Sequence, residues 1–196
     1  DFDIPAIVAM LACKPAIFFL SSPSNPVGPA LDRDGLTRIL SAVPPQTLLV
    51  LDEAYFEFTD DDMPDGLAAL ARTDLSWVVL RTFSKAYGLA GLRCGYAVGA
   101  LGLVRQLGKA LLPYHVNAFT LMAAKTVYEN KELYKERIKT IREERDKFAD
   151  CLKALGFKVW PTATNFVTFR AEGELMQQLA KAYAAKFSER LPEQAA

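Results

Sequence analysis

The sequence predicts an α/β fold built on a mostly parallel sheet. Short apolar runs alternate with stretches of helical periodicity along the chain, which is the pattern of strand–helix–strand units. One run, Leu48-Leu49-Val50-Leu51, is apolar without alternation, as in strands covered on both faces. Polar residues cluster directly after these runs, where ligands of such sheets bind.

The elements follow in order. A helix is expected over Ile4 to Leu11 and a strand over Ala16 to Leu20. The next helix runs from about Asp32 to Val43, with Asp32 suited to cap its amino end. Strand Thr47 to Asp52 comes next. An acidic loop, Asp60-Asp61-Asp62, leads through Pro64 into a short helix near Asp65 to Ala71. Strands are expected at Ser76 to Thr82 and Arg93 to Val98, then a helix over roughly Ala100 to Leu111. The periodic stretch from Ala118 to Leu155 reads as one or two helices, and Gly156 is placed to end it. Strands at Lys158 to Pro161 and Asn165 to Arg170, and a helix near Glu174 to Ser188, suggest a small second domain. The expected division is a large domain over residues 1–131 and a small one over 132–196. There is no internal repeat and no low-complexity tract.

Composition narrows the function. The chain has 196 residues, 51% of them hydrophobic, enough for one sizeable core. Lysine and arginine together number 23, as do aspartate and glutamate. That balance supplies no basic stripe for nucleic acid and no polybasic membrane surface. The three cysteines, Cys13, Cys94 and Cys151, are far apart and have no metal-ligand spacing, so a reducing cytoplasm is the default. No leader pattern opens the chain, and no apolar run reaches membrane-spanning length.

The densest chemistry lies in Arg81-Thr82-Phe83-Ser84-Lys85-Ala86-Tyr87-Gly88-Leu89-Ala90-Gly91-Leu92-Arg93. An amine, hydroxyls, a glycine-rich turn and a fixed cation follow one apolar strand. Such a set suits a phosphorylated aldehyde, with Lys85 forming a Schiff base and the donors and Arg93 holding the phosphate. The plainer reading is a surface lysine near a strand end. Asp52 closes the Leu48 run, where a carboxylate can pair with a protonated pyridine nitrogen; it could also be a turn former. Glu53 reads as a solvated neighbour with no role. In Ser22-Pro23-Ser24-Asn25-Pro26-Val27-Gly28 the prolines and glycine fix a turn that can aim the Asn25 amide.

Other features invite blander readings. Asp60, Asp61, Asp62 and Glu57 are a solvated loop rather than a metal site, since nothing spaces them as ligands. His115, the only histidine, reads as a loop contact rather than a general base. Gly88, Gly91 and Gly95 do not fit a dinucleotide-binding spacing. The mixed charges from Lys131 to Lys153 make a solvated helix face.

Pro23 to Gly28, Val50 to Tyr55 and Thr82 to Arg93, with Pro113 to Ala118 and Thr164-Asn165-Phe166 later, carry a family resemblance. The chain resembles fold-type I pyridoxal-phosphate-dependent aminotransferases, and within them is similar to histidinol-phosphate aminotransferases. The resemblance implies the aspartate aminotransferase fold and pyridoxal 5'-phosphate as cofactor. It implies an amino donor and a 2-oxo acid as substrates, histidinol phosphate with 2-oxoglutarate first among them, and a cytoplasmic homodimer. An aromatic amino-acid aminotransferase or an amino-acid-phosphate decarboxylase would share the same residues. Carried over, Lys85 forms the Schiff base and shuttles the proton, and Asp52 pairs with the pyridine nitrogen. Asn25 and Tyr55 bond the ring oxygen, and Ser84 and Arg93 bind the phosphate. The family's further phosphate donors, ring-stacking aromatic, intersubunit tyrosine and carboxylate-binding arginine have no counterparts here. A fragment from the middle of such an enzyme, inactive or non-catalytic by itself, is therefore expected.

Overall fold

A computed structural model describes residues 2–171, together with 173 and 181. Helix α1 (Ile4–Leu11) starts where the Asp3 carboxylate accepts the Ala6 amide, with Pro5 in the first turn. Strand β1 (Ile17–Ser21) follows, then α2 (Arg33–Ala42), capped by Asp32 accepting from the Gly35 amide at 2.7 Å. Strand β2 (Leu48–Asp52), a 3-10 turn (Phe56–Phe58) and helix α3 (Gly66–Leu70) lead to β3 (Ser76–Thr82). After the turn Ala90–Leu92 come β4 (Gly95–Gly99), α4 (Leu101–Lys109) and α5 (Ala118–Glu129).

The four strands form one sheet in the order β1-β2-β3-β4. The first three are parallel, and β4 runs antiparallel to β3. Residues 83–94, between β3 and β4, hold only a 3-10 turn and no crossover helix, and the chain folds back on itself. Period-two alternation sorts the side chains. Phe18, Leu20, Leu49, Leu51 and Val79 pack with Leu11, Leu36 and Ile39 of α1 and α2 in the main core. Phe19, Val50, Asp52 and Leu80 lie on the opposite face, by register. Val50 is buried there, but Phe19 is 72% exposed and Ile17 is exposed too. The expected cover on both faces therefore holds for β2 and not for β1 among the described residues.

The stretch from Ala118 is two helices. A 3-10 turn (Lys131–Tyr134) separates α5 from α6 (Lys135–Ala154). Gly156, at φ +86°, ends α6 as expected. Its amide donates to Lys153 O, and the Phe157 amide to Leu152 O, the paired bonds that satisfy a helix's last carbonyls. The two strands beyond it are shorter than expected. β5 (Lys158–Val159) and β6 (Phe169–Arg170) pair antiparallel over two residues each. Beyond one further bond, from the Trp160 amide to Thr168 O at 2.9 Å, the segment between them folds onto the Asn25 loop. The expected helix near Glu174 to Ser188 lies outside the described residues. A second core, beyond the carboxyl ends of the strands, joins Tyr55, Phe58, Phe83 and Tyr87 to Ala124 and Val127 of α5.

Among the described residues, no helix is long and apolar enough to cross a membrane. None of them form a group of three or more His, Cys, Asp or Glu placed to hold a metal ion. The acidic loop is more than solvated: Asp60 pairs with Arg142 of α6.

Candidate active site

Asp52 ends β2, and Tyr55 and Lys85 sit just past the carboxyl ends of the neighbouring parallel strands β2 and β3. Asp52 is the last residue of β2, half-buried, and its Oδ1 accepts the Ala54 amide at 2.9 Å. That bond holds the start of the turn that presents Tyr55, whose ring is buried. The Asn25 amide donates to the Tyr55 hydroxyl at 2.9 Å, so β1's loop and β2's loop meet through side chains thirty residues apart. Lys85 Nζ stands 5.3 Å from the centre of the same tyrosine ring. An ammonium group over an aromatic face is attracted to it.

Ser84 is positioned through its backbone. Its amide donates to Thr82 Oγ1 at 3.1 Å, and Thr82 Oγ1 donates to Cys94 O at 3.2 Å. Arg93 follows a different course. It adopts a left-handed backbone, φ +51°, and its exposed guanidinium donates to Ala90 O of its own turn at 3.0 Å. The structure thus joins Asn25, Tyr55 and Lys85 directly and sets Asp52 and Ser84 beside them. Arg93 is not joined to them by a contact. His115 is exposed and its Nδ1 lies 2.9 Å from Leu112 O in its own loop.

Two sets of residues were not read as functional from the chain. Glu53 is not solvated: it is 2% exposed. Its Oε2 accepts from Arg81 Nε at 2.9 Å and Nη2 at 2.7 Å, and its Oε1 accepts the Gly66 amide at 2.9 Å. Arg81 Nη2 also donates to Asp65, and its guanidinium stacks 3.9 Å from the Phe56 ring centre. Burial pulls the Arg81 pKa down, but the Glu53 and Asp65 carboxylates outweigh it and hold it above its ordinary value. This network ties the residue after Asp52 to the residue four before Lys85. The available signal was one arginine inside an otherwise apolar strand.

The second set is the segment 160–168. Phe166 stands edge-on to Tyr55 at 5.5 Å. The Ala163 amide donates to Gly28 O at 2.7 Å and Thr168 Oγ1 to Pro26 O at 2.6 Å. Buried Arg145 anchors the segment from α6 by donating to Thr164 O at 2.9 Å. Gly28, at φ +107°, lets it approach: a Cβ there would lie 2.7 Å from Thr162 Oγ1.

Chemically, the site offers an amine on an aromatic face, a carboxylate at a strand end, an amide–phenol pair and a hydroxyl beside a turn. The comparisons point the same way. The sequence matches the family described as "Aminotransferase class I and II" over residues 2–194. It is 43% identical over 168 residues to an aromatic amino acid aminotransferase of Nocardia farcinica, covering 84% of this chain and 47% of that protein. It is 38% identical over 174 residues to histidinol-phosphate aminotransferase 3 of Rhizobium meliloti, covering 88% and 47%. A solved histidinol-phosphate aminotransferase from Sinorhizobium meliloti, in complex with pyridoxal-5'-phosphate, superposes with a TM-score of 0.80 at 28% identity, over 91% of this chain and 48% of that one. The chain spans about half the length of the curated relatives it matches.

Proposed function

Because the chain belongs to the class I and II aminotransferase family, we propose that it carries the cofactor-attaching part of a pyridoxal-phosphate-dependent aminotransferase. The reaction moves an amino group from an amino donor to a 2-oxo acid. The observation that carries this reading is the meeting of Asn25, Tyr55 and Lys85 beside Asp52 at the ends of adjacent parallel strands.

The donor set fits the cofactor group by group. Lys85 would hold its aldehyde covalently through Nζ, and the ring nitrogen would face the Asp52 carboxylate. The Asn25–Tyr55 pair would bond its ring oxygen. Ser84 and Arg93 would hold its phosphate, Arg93 by turning from Ala90 O, since a guanidinium offers two parallel donors. When bound, the cofactor supplies an electron sink for the substrate's α-carbon.

The chain's own residues supply the rest. The opposite charge of Asp52 favours a protonated ring nitrogen and so maintains the sink. Lys85 Nζ, once free, takes the proton from the substrate carbon and returns it, as a base within reach of that atom should. The Arg81–Glu53 pair holds the two strand ends at fixed separation. Residues 1–131 would form part of the large domain and 132–196 part of the small one.

Histidinol phosphate with 2-oxoglutarate is the substrate pair proposed, supported by the relative in Rhizobium meliloti. An aromatic amino acid as donor is the second reading, favoured by the 43% identity to the Nocardia farcinica protein. A cytoplasmic homodimer is proposed as well. Phe119, Leu112 and Met122 are all more than 60% exposed, and apolar surface of that extent suits association.

The test is borohydride reduction of the protein with excess pyridoxal phosphate, followed by peptide mapping. The label is expected on Lys85. A label on another lysine refutes the assignment. Parallel turnover assays with histidinol phosphate and with phenylalanine, on the longest form of the protein, separate the two donors.

A further inference from the structure

Residues 160–168 belong to no helix or strand, yet they touch both halves of the Asn25–Tyr55 pair. The Ala163 amide and the Thr168 hydroxyl hold Gly28 O and Pro26 O, in the loop that carries Asn25. Phe166 meets the Tyr55 ring itself, with centres 5.5 Å apart and planes at 85°, an arrangement that aromatic pairs prefer.

Phe166 is held more firmly than a core contact requires. Its amide donates to Thr164 Oγ1 at 3.2 Å, and its carbonyl accepts from Thr162 Oγ1 at 2.9 Å. The two hydroxyls lie 2.8 Å apart. Thr164 is fully buried (0% exposed), and its own carbonyl accepts from Arg145, itself buried in α6. Both threonines are β-branched and stiff about their first side-chain torsion. The backbone at residue 166 is thus fixed through side chains, in a segment with little ladder to fix it.

The Tyr55 ring that Phe166 abuts is shared by the site. Its hydroxyl accepts from the Asn25 amide at 2.9 Å, and Lys85 Nζ stands 5.3 Å from its centre. Hydrogen bonds weaken steeply as they bend, so a tyrosine ring free to tilt would present its hydroxyl poorly. Donors to an oxygen favour that oxygen's charged form. With the cofactor on Lys85, well-aimed donors at its ring oxygen therefore lower the pH at which the linked lysine nitrogen loses its proton. Slack donors raise it.

We propose that Phe166 is a positioning residue. Held by Thr162, Thr164 and Arg145, it fixes the Tyr55 hydroxyl, and through it the proton affinity of the lysine–cofactor linkage. The inference rests on the function proposed above. It carries the working parts of the site as far as α6.

The test is a pH titration of the visible absorption of the lysine-bound cofactor, on the longest form of the protein. Phe166→Leu fills the space without a ring edge, and Thr164→Val removes the hydroxyl that holds the Phe166 amide. Each should raise the midpoint by about half a pH unit or more, a change of roughly threefold in proton affinity. Phe166→Tyr and Thr164→Ser keep the ring and the hydroxyl and should stay near the wild-type midpoint. Ile39→Val, in the main core, should lower stability without moving it. If Thr164→Val fails to fold, Phe166→Leu decides. A midpoint that Phe166→Leu leaves unchanged overturns the inference and spares the function proposed above. So does an equal shift in Ile39→Val, which would make the effect one of general loosening. A wild type without the absorption, or one in which Lys85→Ala retains it, overturns both.

Discussion

Replacing Arg81 with methionine should cost the fold about 3–5 kcal/mol, the penalty for leaving one member of a buried ion pair alone. The structure shows why the cost sits at that level. Glu53 is 2% exposed, so water cannot take over for the guanidinium. Its Oε2 would lose both Arg81 donors, leaving only the Gly66 amide on Oε1. Methionine fills the space of the arginine stem, which keeps lost packing out of the comparison. With an m-value of about 2 kcal/mol/M in urea, the midpoint should fall by roughly 1.5–2.5 M. Adding Glu53→Gln to Arg81→Met should recover a large part of the loss, because no charge is then stranded. The deficit of Arg81→Met should also shrink in acid, where a protonated Glu53 needs no counter-charge. Urea melts of the wild type, both single variants and the double variant at pH 7 provide the measurement. A loss below about 1 kcal/mol for Arg81→Met, or a double variant no better than the single, would refute the reasoning.

Three further outcomes are expected. Gly28→Ala should destabilise by about 2–5 kcal/mol, combining backbone strain at φ +107° with a Cβ 2.7 Å from Thr162 Oγ1; a urea midpoint within error of wild type would contradict it. Burial raises the Glu57 pKa above its ordinary 4.5. The stability it contributes is thus complete below that value and is lost as pH rises through the folded pKa. Glu57→Gln should match wild type near pH 4 and exceed it at pH 7, and parallel melting-temperature curves would rule this out. Asp52→Asn, in the longest form of the protein, should still attach the cofactor but slow turnover by orders of magnitude; near-normal turnover would remove Asp52 from its proposed role.

The strands and helices were legible because each carries its own local signal. Asp32 caps α2 where a capping residue was expected, and Gly156 closes α6 with the bonds its position implied. Asn25, Tyr55 and Lys85 were singled out because short motifs carry them, and their meeting follows from three neighbouring strands ending together. What stayed hidden depends on contacts across long separations. Glu53 looks like any acid beside a turn until Arg81, twenty-eight residues on, is packed against it. The antiparallel β4 was concealed because its composition does not reveal direction. Arg93 was legible as a cation, but its present hydrogen bond to Ala90 O was not.

The clasp between residues 160–168 and the Asn25 loop also bears on the order in which the chain becomes native. Thr168 reaches back 142 positions to Pro26. At about 5–20 residues per second, a ribosome needs roughly 7–30 s to make that stretch. Sheet pairing among β1, β2 and β3 involves nearer neighbours and can be complete well before then, since distant closures are the slow ones. Until Ala163 and Thr168 emerge, the carbonyls of Gly28 and Pro26 lack these partners and Phe166 is not yet against Tyr55. The loop bearing Asn25 is thus made well before residues 163–168, and it is fixed only once they have emerged.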